Sequence, residues 1–237
     1  MSLFVVIPAY NEELNIERCV DDWYPVIERH NEQGTSRLII VNDGSRDQTF
    51  RKLQELAEDR PLLIPLTKEN GGHGSAVLHG YRYAIKAGAE WVFQTDSDGQ
   101  TNPAEFEPFW ESREEYDAII GKRIKRGDGK ARVLVEKTVS ILLRLIFGVK
   151  IEDANAPYRL MRADLLEKYI SKLPENYNLP NIMLTTYYVY FKDKVLFLPI
   201  SFASRQAGKN SINLKKIMKI GWSAVGDFYR LRKDMDG

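Results

Sequence analysis

Three times before residue 91 a short apolar run leads into a polar turn and then a helical hydrophobic pattern. Leu3 to Pro8 (Leu-Phe-Val-Val-Ile-Pro) is uninterrupted, as a parallel strand covered on both faces requires. Asn11-Glu12-Glu13 then opens an amphipathic helix through about Arg29, with Leu14, Ile16, Cys19, Val20, Trp23 and Ile27 as its inner set. Arg37 to Val41 is a second strand, ending in Asn42-Asp43-Gly44-Ser45. Ser45 and Gln48 stand at capping-box spacing for a helix carrying Phe50, Leu53, Leu56 and Ala57. Leu62 to Leu66 forms a third strand, followed by the glycine-rich Glu69-Asn70-Gly71-Gly72-His73-Gly74 and a helix from about Ser75 to Ala87. Trp91-Val92-Phe93 begins a fourth strand. This alternation predicts an α/β fold: a doubly wound, mixed but mainly parallel sheet with helices on both faces.

The fourth strand runs into Gln94-Thr95-Asp96-Ser97-Asp98-Gly99-Gln100, and Asn102-Pro103 supplies an N-cap and first-turn proline for a helix over Pro103 to Glu115. Open α/β sheets bind ligands beyond the carboxyl ends of their strands, which is where Asp96 and Asp98 fall. Two residues apart, with Ser97 between them, the side chains lie on the same face of an extended backbone; a turn at Ser97–Gly99 brings both toward one ligand. Two carboxylates with the Gln100 amide oxygen suit Mg²⁺ or Mn²⁺, which usually shares its shell with substrate phosphates and water. Taken alone, the same residues read equally as a turn and a helix cap. A further alternative is an aspartate-nucleophile phosphohydrolase, whose Asp-x-Asp-Gly-x-Thr motif Asp96 to Thr101 matches; such enzymes normally carry it after their first strand, whereas three strand–helix units precede it here.

The second half is less regular. Ala118-Ile119-Ile120 is a strand leading into Gly121-Lys122-Arg123; Lys130 to Phe147, Ala163 to Lys172 and Leu179 to Tyr190 read as helices; Val195 to Ile200 is a strand. Asp153 to Pro157 is a loop, and Asn213 begins a final helix rich in Lys and Arg. Arg123, Arg159 and Arg205 stand at or near element ends, where a guanidinium can clamp a phosphate through two hydrogen bonds. With 34 basic and 33 acidic residues the net charge is +1, which gives no general attraction to nucleic acid. The single cysteine, Cys19, excludes an internal disulfide and falls on an apolar helix face. Residues 1–9 carry no basic leader, and no apolar run approaches the roughly 20 residues of a membrane span. A cytoplasmic chain is expected. No phosphate-loop NTPase motif and no dinucleotide fingerprint after the first strand occur.

Four stretches, Val6-Ile7-Pro8-Ala9-Tyr10-Asn11-Glu12, Val41-Asn42-Asp43-Gly44-Ser45, Asn70-Gly71-Gly72-His73-Gly74 and Asp96-Ser97-Asp98-Gly99-Gln100, together resemble the family 2 glycosyltransferases of the GT-A fold. These inverting enzymes include dolichyl-phosphate mannosyltransferase and other polyprenyl-phosphate glycosyltransferases. Order and spacing agree over roughly residues 3 to 125 and more loosely through Gly121-Lys122-Arg123, Asp153 to Arg159, and Arg205 with Gly208-Lys209-Asn210-Ser211. The resemblance implies a single GT-A domain over 1–237: a nucleotide-sugar-binding half (1–100), an acceptor-side half (101–212) and a C-terminal basic helix (213–237). It also implies a nucleotide-diphosphate sugar donor lined by Pro8, Ala9, Tyr10 and Glu12, with Asp43 on the base and the backbone near Gly72 close to the nucleotide or sugar. Asp96, Ser97 and Asp98 would hold ribose, metal and diphosphate, with Gln100 at a metal-side position. Asp98 and Asp153 are the expected catalytic residues, Asp153 as the base that a sugar hydroxyl acceptor needs; a phosphate acceptor, already ionised near neutrality, does not. Arg123, Arg159 and Arg205 would meet the acceptor or its phosphate. His73 is a weaker donor-site candidate.

Two features depart from that branch. Asp153-Ala154-Asn155-Ala156-Pro157-Tyr158-Arg159 replaces its usual Asp-…-Ser-Gly-Phe-Arg type of segment, and the C-terminal membrane helices of many relatives have no counterpart in this sequence. The acceptor stays open between a polyprenyl phosphate and a soluble glycan. In the 130–149 helix, Arg132, Glu136, Ser140 and Arg144 form one narrow polar stripe, and apolar residues cover much of the rest. Lys215, Lys216, Lys219, Arg230, Arg232 and Lys233 accompany Trp222, Phe228 and Tyr229 near the C-terminus. These features fit peripheral contact with a membrane face; a buried core helix, a homodimer interface over 133–147 and a solvated basic helix are the alternatives.

Overall fold

The structure, a computed structural model, describes residues 1–124, 130–203 and 225–233, with backbone only for 130–136. Arg205, Gly208 to Ser211 and the basic residues Lys215, Lys216 and Lys219 therefore lie outside the described residues.

The strands β1 (Leu3–Ala9), β2 (Arg37–Asn42), β3 (Leu63–Thr67), β4 (Trp91–Thr95), β5 (Ala118–Arg123), β6 (Tyr158–Arg162) and β7 (Val195–Ile200) form one sheet in the order β3-β2-β1-β4-β6-β5-β7. The β3-β2-β1-β4 half is parallel throughout. Parallel neighbours need long crossovers, and α1 (Ile16–Arg29), α2 (Thr49–Glu58) and α3 (His73–Lys86) supply them. Both faces of β1 are buried: Leu3, Val5 and Ile7 pack with Ile16, Val20, Trp23 and Ile27 of α1, while Phe4 and Val6 pack with Val77 and Tyr81 of α3. The mixed, mainly parallel α/β architecture is as the alternating sequence predicts. Further along come α4 (Glu107–Ser112), α5 (Lys130–Phe147), α6 (Ala163–Ile170) and α7 (Pro180–Tyr190), and residues 225–233 are again helical. No helix among the described residues is long and apolar enough to cross a membrane.

Strand β6 is the element that the sequence reading does not anticipate. Tyr-Arg-Leu-Met-Arg is short and holds an arginine at its second position, so it carries little apolar signal. Pairing on both sides makes it a strand: Phe93↔Leu160 and Thr95↔Tyr158 with β4, Ile119↔Leu160 with β5, both antiparallel. Because β6 runs backwards, its first residue lies beside the last residue of β4. The 153–157 loop is thereby delivered to the same sheet edge as Asp96. β5 and β7 end at that edge too, through Arg123 and Ile200.

Local departures have identifiable causes. α1 starts at Ile16 rather than at Asn11, because Asn11 takes a left-handed φ of 55° and a turn over 12–15 precedes the helix. Ser45 and Gln48 form no capping box. Asp47 Oδ1 instead accepts from the Thr49 amide at 3.0 Å, and Ser45 Oγ accepts from the Asn11 amide at 2.9 Å. The Pro103–Glu115 helix is divided into a 3-10 turn (Pro103–Glu105), capped as expected by Asn102 Oδ1 accepting from the Ala104 amide at 3.0 Å, and the short α4.

Beneath the turn that follows β4, Phe93 packs its ring against Tyr158 (4.7 Å between centroids), Phe106 (5.0 Å) and Trp23 (5.2 Å). These rings join β4, β6, α1 and the 3-10 turn into one support. Phe93→Ala should cost about 3–5 kcal/mol of stability. The expected reading is a lowered urea midpoint with an unchanged m-value.

Candidate active site

The loops at the carboxyl ends of β1 to β4 are tied to one another by side chains that bond backbone. Asn11 and Ser45 join the first two: the Asn11 amide donates to Ser45 Oγ at 2.9 Å, and the Arg46 amide donates to Asn11 Oδ1 at 2.9 Å. The Glu12 amide donates to Thr49 Oγ1 at 2.8 Å. Asp43 joins the second and third. Its carboxylate, 4% exposed, accepts from Lys68 Nζ at 3.0 Å and from the amides of Gly71 at 3.0 Å and Gly72 at 2.8 Å. Ser97 ties the fourth loop to the first, its Oγ donating to the Pro8 carbonyl at 2.9 Å.

The Asp96-Ser97-Asp98 turn alternates sharply in exposure. Ser97 is buried, while Asp96 and Asp98 on either side are half-buried at the edge of the sheet. Asp96 Oδ1 accepts from Gln94 Nε2 at 3.2 Å and lies 3.7 Å from His73 Nε2, at the start of α3. Asp98 Oδ1 accepts from the Gln100 amide at 3.2 Å, and Thr95 and Thr101 close the turn through their hydroxyls at 2.7 Å. The turn and cap reading of this stretch thus holds alongside its exposure of two carboxylates. Gln100 is buried; its Nε2 donates to the Ala203 carbonyl at 2.7 Å, and the Ala203 amide donates back to the Gln100 carbonyl at 2.9 Å. It pins the 201–203 segment to the acidic turn.

Several expected contacts take another form. Pro8 and Ala9 are buried, Ala9 in the core beside α1; Tyr10, 37% exposed, is the residue of that group with open surface. Glu12 is buried, and its Oε2 accepts from Asn15 Nδ2 at 2.6 Å at the entrance to α1. Asp43, expected on a base, orders the glycine loop. Ser97, expected on the ligand, anchors the turn. Among the loop glycines, Gly72 has a left-handed φ of 87°, with open space around the missing Cβ except for Asn178 Oδ1 at 3.6 Å. Gly74 is required for a different reason: a Cβ there would stand 2.4 Å from the Tyr177 carbonyl oxygen, so packing alone demands a glycine.

At the end of β5 and in the 153–157 loop, Arg123 and Asp153 meet each other. Arg123 Nε donates to Asp153 Oδ2 and Nη2 to Oδ1, both at 2.8 Å, with side chains 7% and 3% exposed, and Phe202 covers the guanidinium at 5.1 Å. The candidate base and one candidate phosphate clamp thus form a buried bidentate pair with each other. Arg159 is no surface clamp either. It is 0% exposed and donates to the carbonyls of Ala156 (2.8 Å) and Asn181 (3.0 Å) and to Thr185 Oγ1 (3.3 Å). Burial is the main cause that lowers its pKa from the usual arginine value. Cys19 is inert by the same physics: burial, then Asp22, Glu12, Asp98 and Asp96, push its thiol well up. The sequence reading passed over Gln94 and Asn181, although a glutamine ending an apolar strand run was a visible signal.

The chemistry of the turn fits a hard divalent cation. Among the described residues no group of three or more His, Cys, Asp or Glu side chains forms a closed metal cage. Two half-buried carboxylates leave most of a coordination shell to ligand phosphates and water, as Mg²⁺ and Mn²⁺ sites generally do. Asp43→Ala should strip Lys68 and two loop amides of their acceptor, costing about 2–4 kcal/mol. Limited proteolysis should then cut the 68–72 loop faster than in the wild type.

The sequence matches the family model described as glycosyl transferase family 2 over residues 4–170. It is 28% identical over 243 residues to polyprenol monophosphomannose synthase of Mycolicibacterium smegmatis, covering 96% of this chain and 89% of that one. It is 25% identical to undecaprenyl-phosphate 4-deoxy-4-formamido-L-arabinose transferase of Pectobacterium atrosepticum, covering 91% of this chain but spanning only 64% of that protein's length. Glucosyl-3-phosphoglycerate synthase from Mycobacterium tuberculosis, crystallised with Mn²⁺, UDP and glucosyl-3-phosphoglycerate, superposes with a TM-score of 0.70 at 18% identity, over 98% of this chain and 80% of that one; this is a likeness of fold. The chain is a glycosyltransferase and belongs to glycosyl transferase family 2.

Proposed function

We propose that this enzyme transfers a sugar, with inversion, from a nucleotide-diphosphate donor to a polyprenyl phosphate at a membrane surface. The observation that carries the donor half is the pair of half-buried carboxylates, Asp96 and Asp98, held at the ligand edge of the parallel strands. They would hold the divalent ion, Mg²⁺ or Mn²⁺, whose charge would assist departure of the diphosphate. Tyr10 offers the open side chain for the nucleotide, and the open backbone at Gly72 lets the donor approach closely. The named activities of the polyprenol and undecaprenyl phosphate relatives support the acceptor.

Asp153 also favours a phosphate acceptor. A hydroxyl must lose its proton as it attacks, and the base would have to turn an oxygen away from Arg123 to take it. A phosphate with a second pKa of about 6 arrives already ionised. In this reading the Asp153–Arg123 pair shapes the acceptor side and takes no proton. Lipid proximity is supported by α5, where Ile141 and Leu145 are 58% and 76% exposed beside the exposed Arg144. Leu143 and Phe147 on the other face are buried, so the helix has one inner side and one apolar outer strip.

Asp98→Ala should weaken donor binding in the presence of Mn²⁺ by at least about tenfold in calorimetry, with the fold intact. Unchanged affinity would remove the acidic turn from the donor site. Asp153→Asn, assayed on a short polyprenyl phosphate, should keep kcat within about tenfold of wild type while raising the acceptor KM. Loss of all turnover, together with efficient wild-type transfer to a water-soluble glycan, would move the acceptor to a hydroxyl and restore Asp153 as the base. Ile141→Glu with Leu145→Glu should reduce co-sedimentation with anionic vesicles; equal sedimentation would detach this face from the lipid.

A further inference from the structure

Gln94 is an anomaly in β4. It follows Trp91, Val92 and Phe93, is 0% exposed, and carries a carboxamide that must be fully partnered to be tolerated there. Its Nε2 donates to Asp96 Oδ1 at 3.2 Å, and its Oε1 accepts from Asn181 Nδ2 at 2.9 Å. Asn181, 3% exposed in the first turn of α7, accepts at Oδ1 from the buried Tyr81 hydroxyl at 3.3 Å. The three groups therefore donate in one direction, Tyr81 to Asn181 to Gln94 to Asp96.

The direction is set by chemistry. An ionised carboxylate is an acceptor only, so the Gln94 NH₂ must face Asp96 and its oxygen must face Asn181. Turning the Gln94 amide over would set oxygen against carboxylate at one end and NH₂ against NH₂ at the other. In a buried setting each such mismatch is expensive, and hydrogen bonds in series polarise one another. Asp96 is thus tied inward at Oδ1 by a side chain that has no alternative orientation.

We propose that Gln94 and Asn181 are positioning residues for the donor: they hold the Asp96 carboxylate by one oxygen so that the other is presented to the divalent ion and diphosphate. This rests on the reading of Asp96 as a donor-side ligand. Asn181 does so without touching Asp96, through the amide of Gln94 alone. Its backbone carbonyl also receives Arg159, which secures the Ala156 carbonyl in the loop beside Asp153, so one residue of α7 braces both sides of the reaction.

The test is calorimetric titration of UDP, GDP and dTDP, each with and without Mn²⁺, on wild type, Asn181→Asp and Gln94→Met, with urea unfolding in parallel. Ionised, Asp at position 181 can only accept; in titrations above the pH at which it loses its proton it therefore draws the Gln94 NH₂ toward itself and turns the Gln94 oxygen onto Asp96. The expected result is at least about a tenfold loss of Mn²⁺-dependent nucleotide affinity in both variants, with metal-free affinity unchanged. The double variant should lose little more than Gln94→Met alone, because Asn181 acts through Gln94. Wild-type Mn²⁺ dependence in variants that fold, or additive losses, would overturn the positioning role. Failure of the wild type to bind any of the three nucleotides with Mn²⁺ would instead overturn the donor reading of Asp96. If Gln94→Met does not fold, Asn181→Asp, which keeps side-chain size, decides alone; if neither folds, the network is structural and the proposal fails.

Discussion

Strand β6 runs against both of its neighbours, and the ligand edge of this enzyme depends on that reversal. A parallel strand in the same place would send the 153–157 loop to the far end of the sheet. Antiparallel pairing sets Tyr158 beside Thr95 instead, so that the acidic turn and the Asp153 loop emerge together. In the proposed function the parallel half would supply the nucleotide side, and the reversed strand brings the Asp153 loop to meet it. The ring of Tyr158 also packs on Phe93 from below, which couples the strand's direction to the support under the turn.

Order at the edge comes largely from buried polar groups. Asp43, Ser97, Gln94, Asn181 and Arg159 are all 5% exposed or less, and each bonds a neighbouring loop or strand end. Such groups are costly to desolvate and become tolerable only when most of their valences are met. Their net contribution to stability is therefore small, while their effect on geometry is large: a misplaced loop would leave several of them unpaired at once. That is how loops without regular structure are held to a single arrangement before any ligand binds.

The strands and helices of the first half were legible because each apolar run is short, uninterrupted and bounded by turn residues, as in Leu3 to Pro8. The acidic turn was legible for the same reason, its place past a strand end being visible in the chain. β6 was not, since Arg159 interrupts its apolar pattern and the partners that make it a strand lie about 65 residues upstream and 40 upstream in the sequence. The roles of individual polar residues were the least legible. Asp43, Arg123, Asp153 and Arg159 all have chemistry suited to a nucleotide or phosphate, yet each is engaged by a partner inside the protein. Residue type names the bonds a side chain can make; only the fold decides whether a ligand or another loop receives them.

The stitching of the first and second loops by Asn11, Ser45 and Thr49 separates two tasks that often fall on the same atoms. Framework bonds there run between small polar side chains and main chain, while the neighbouring Tyr10 stands partly open and makes none of them. In the proposed function, nucleobase choice would be free to drift by exchange at a few exposed positions without loosening these loops. A family that serves many donors with one architecture gains from that arrangement, because changing the choice of sugar nucleotide need not pass through an unfolded ancestor.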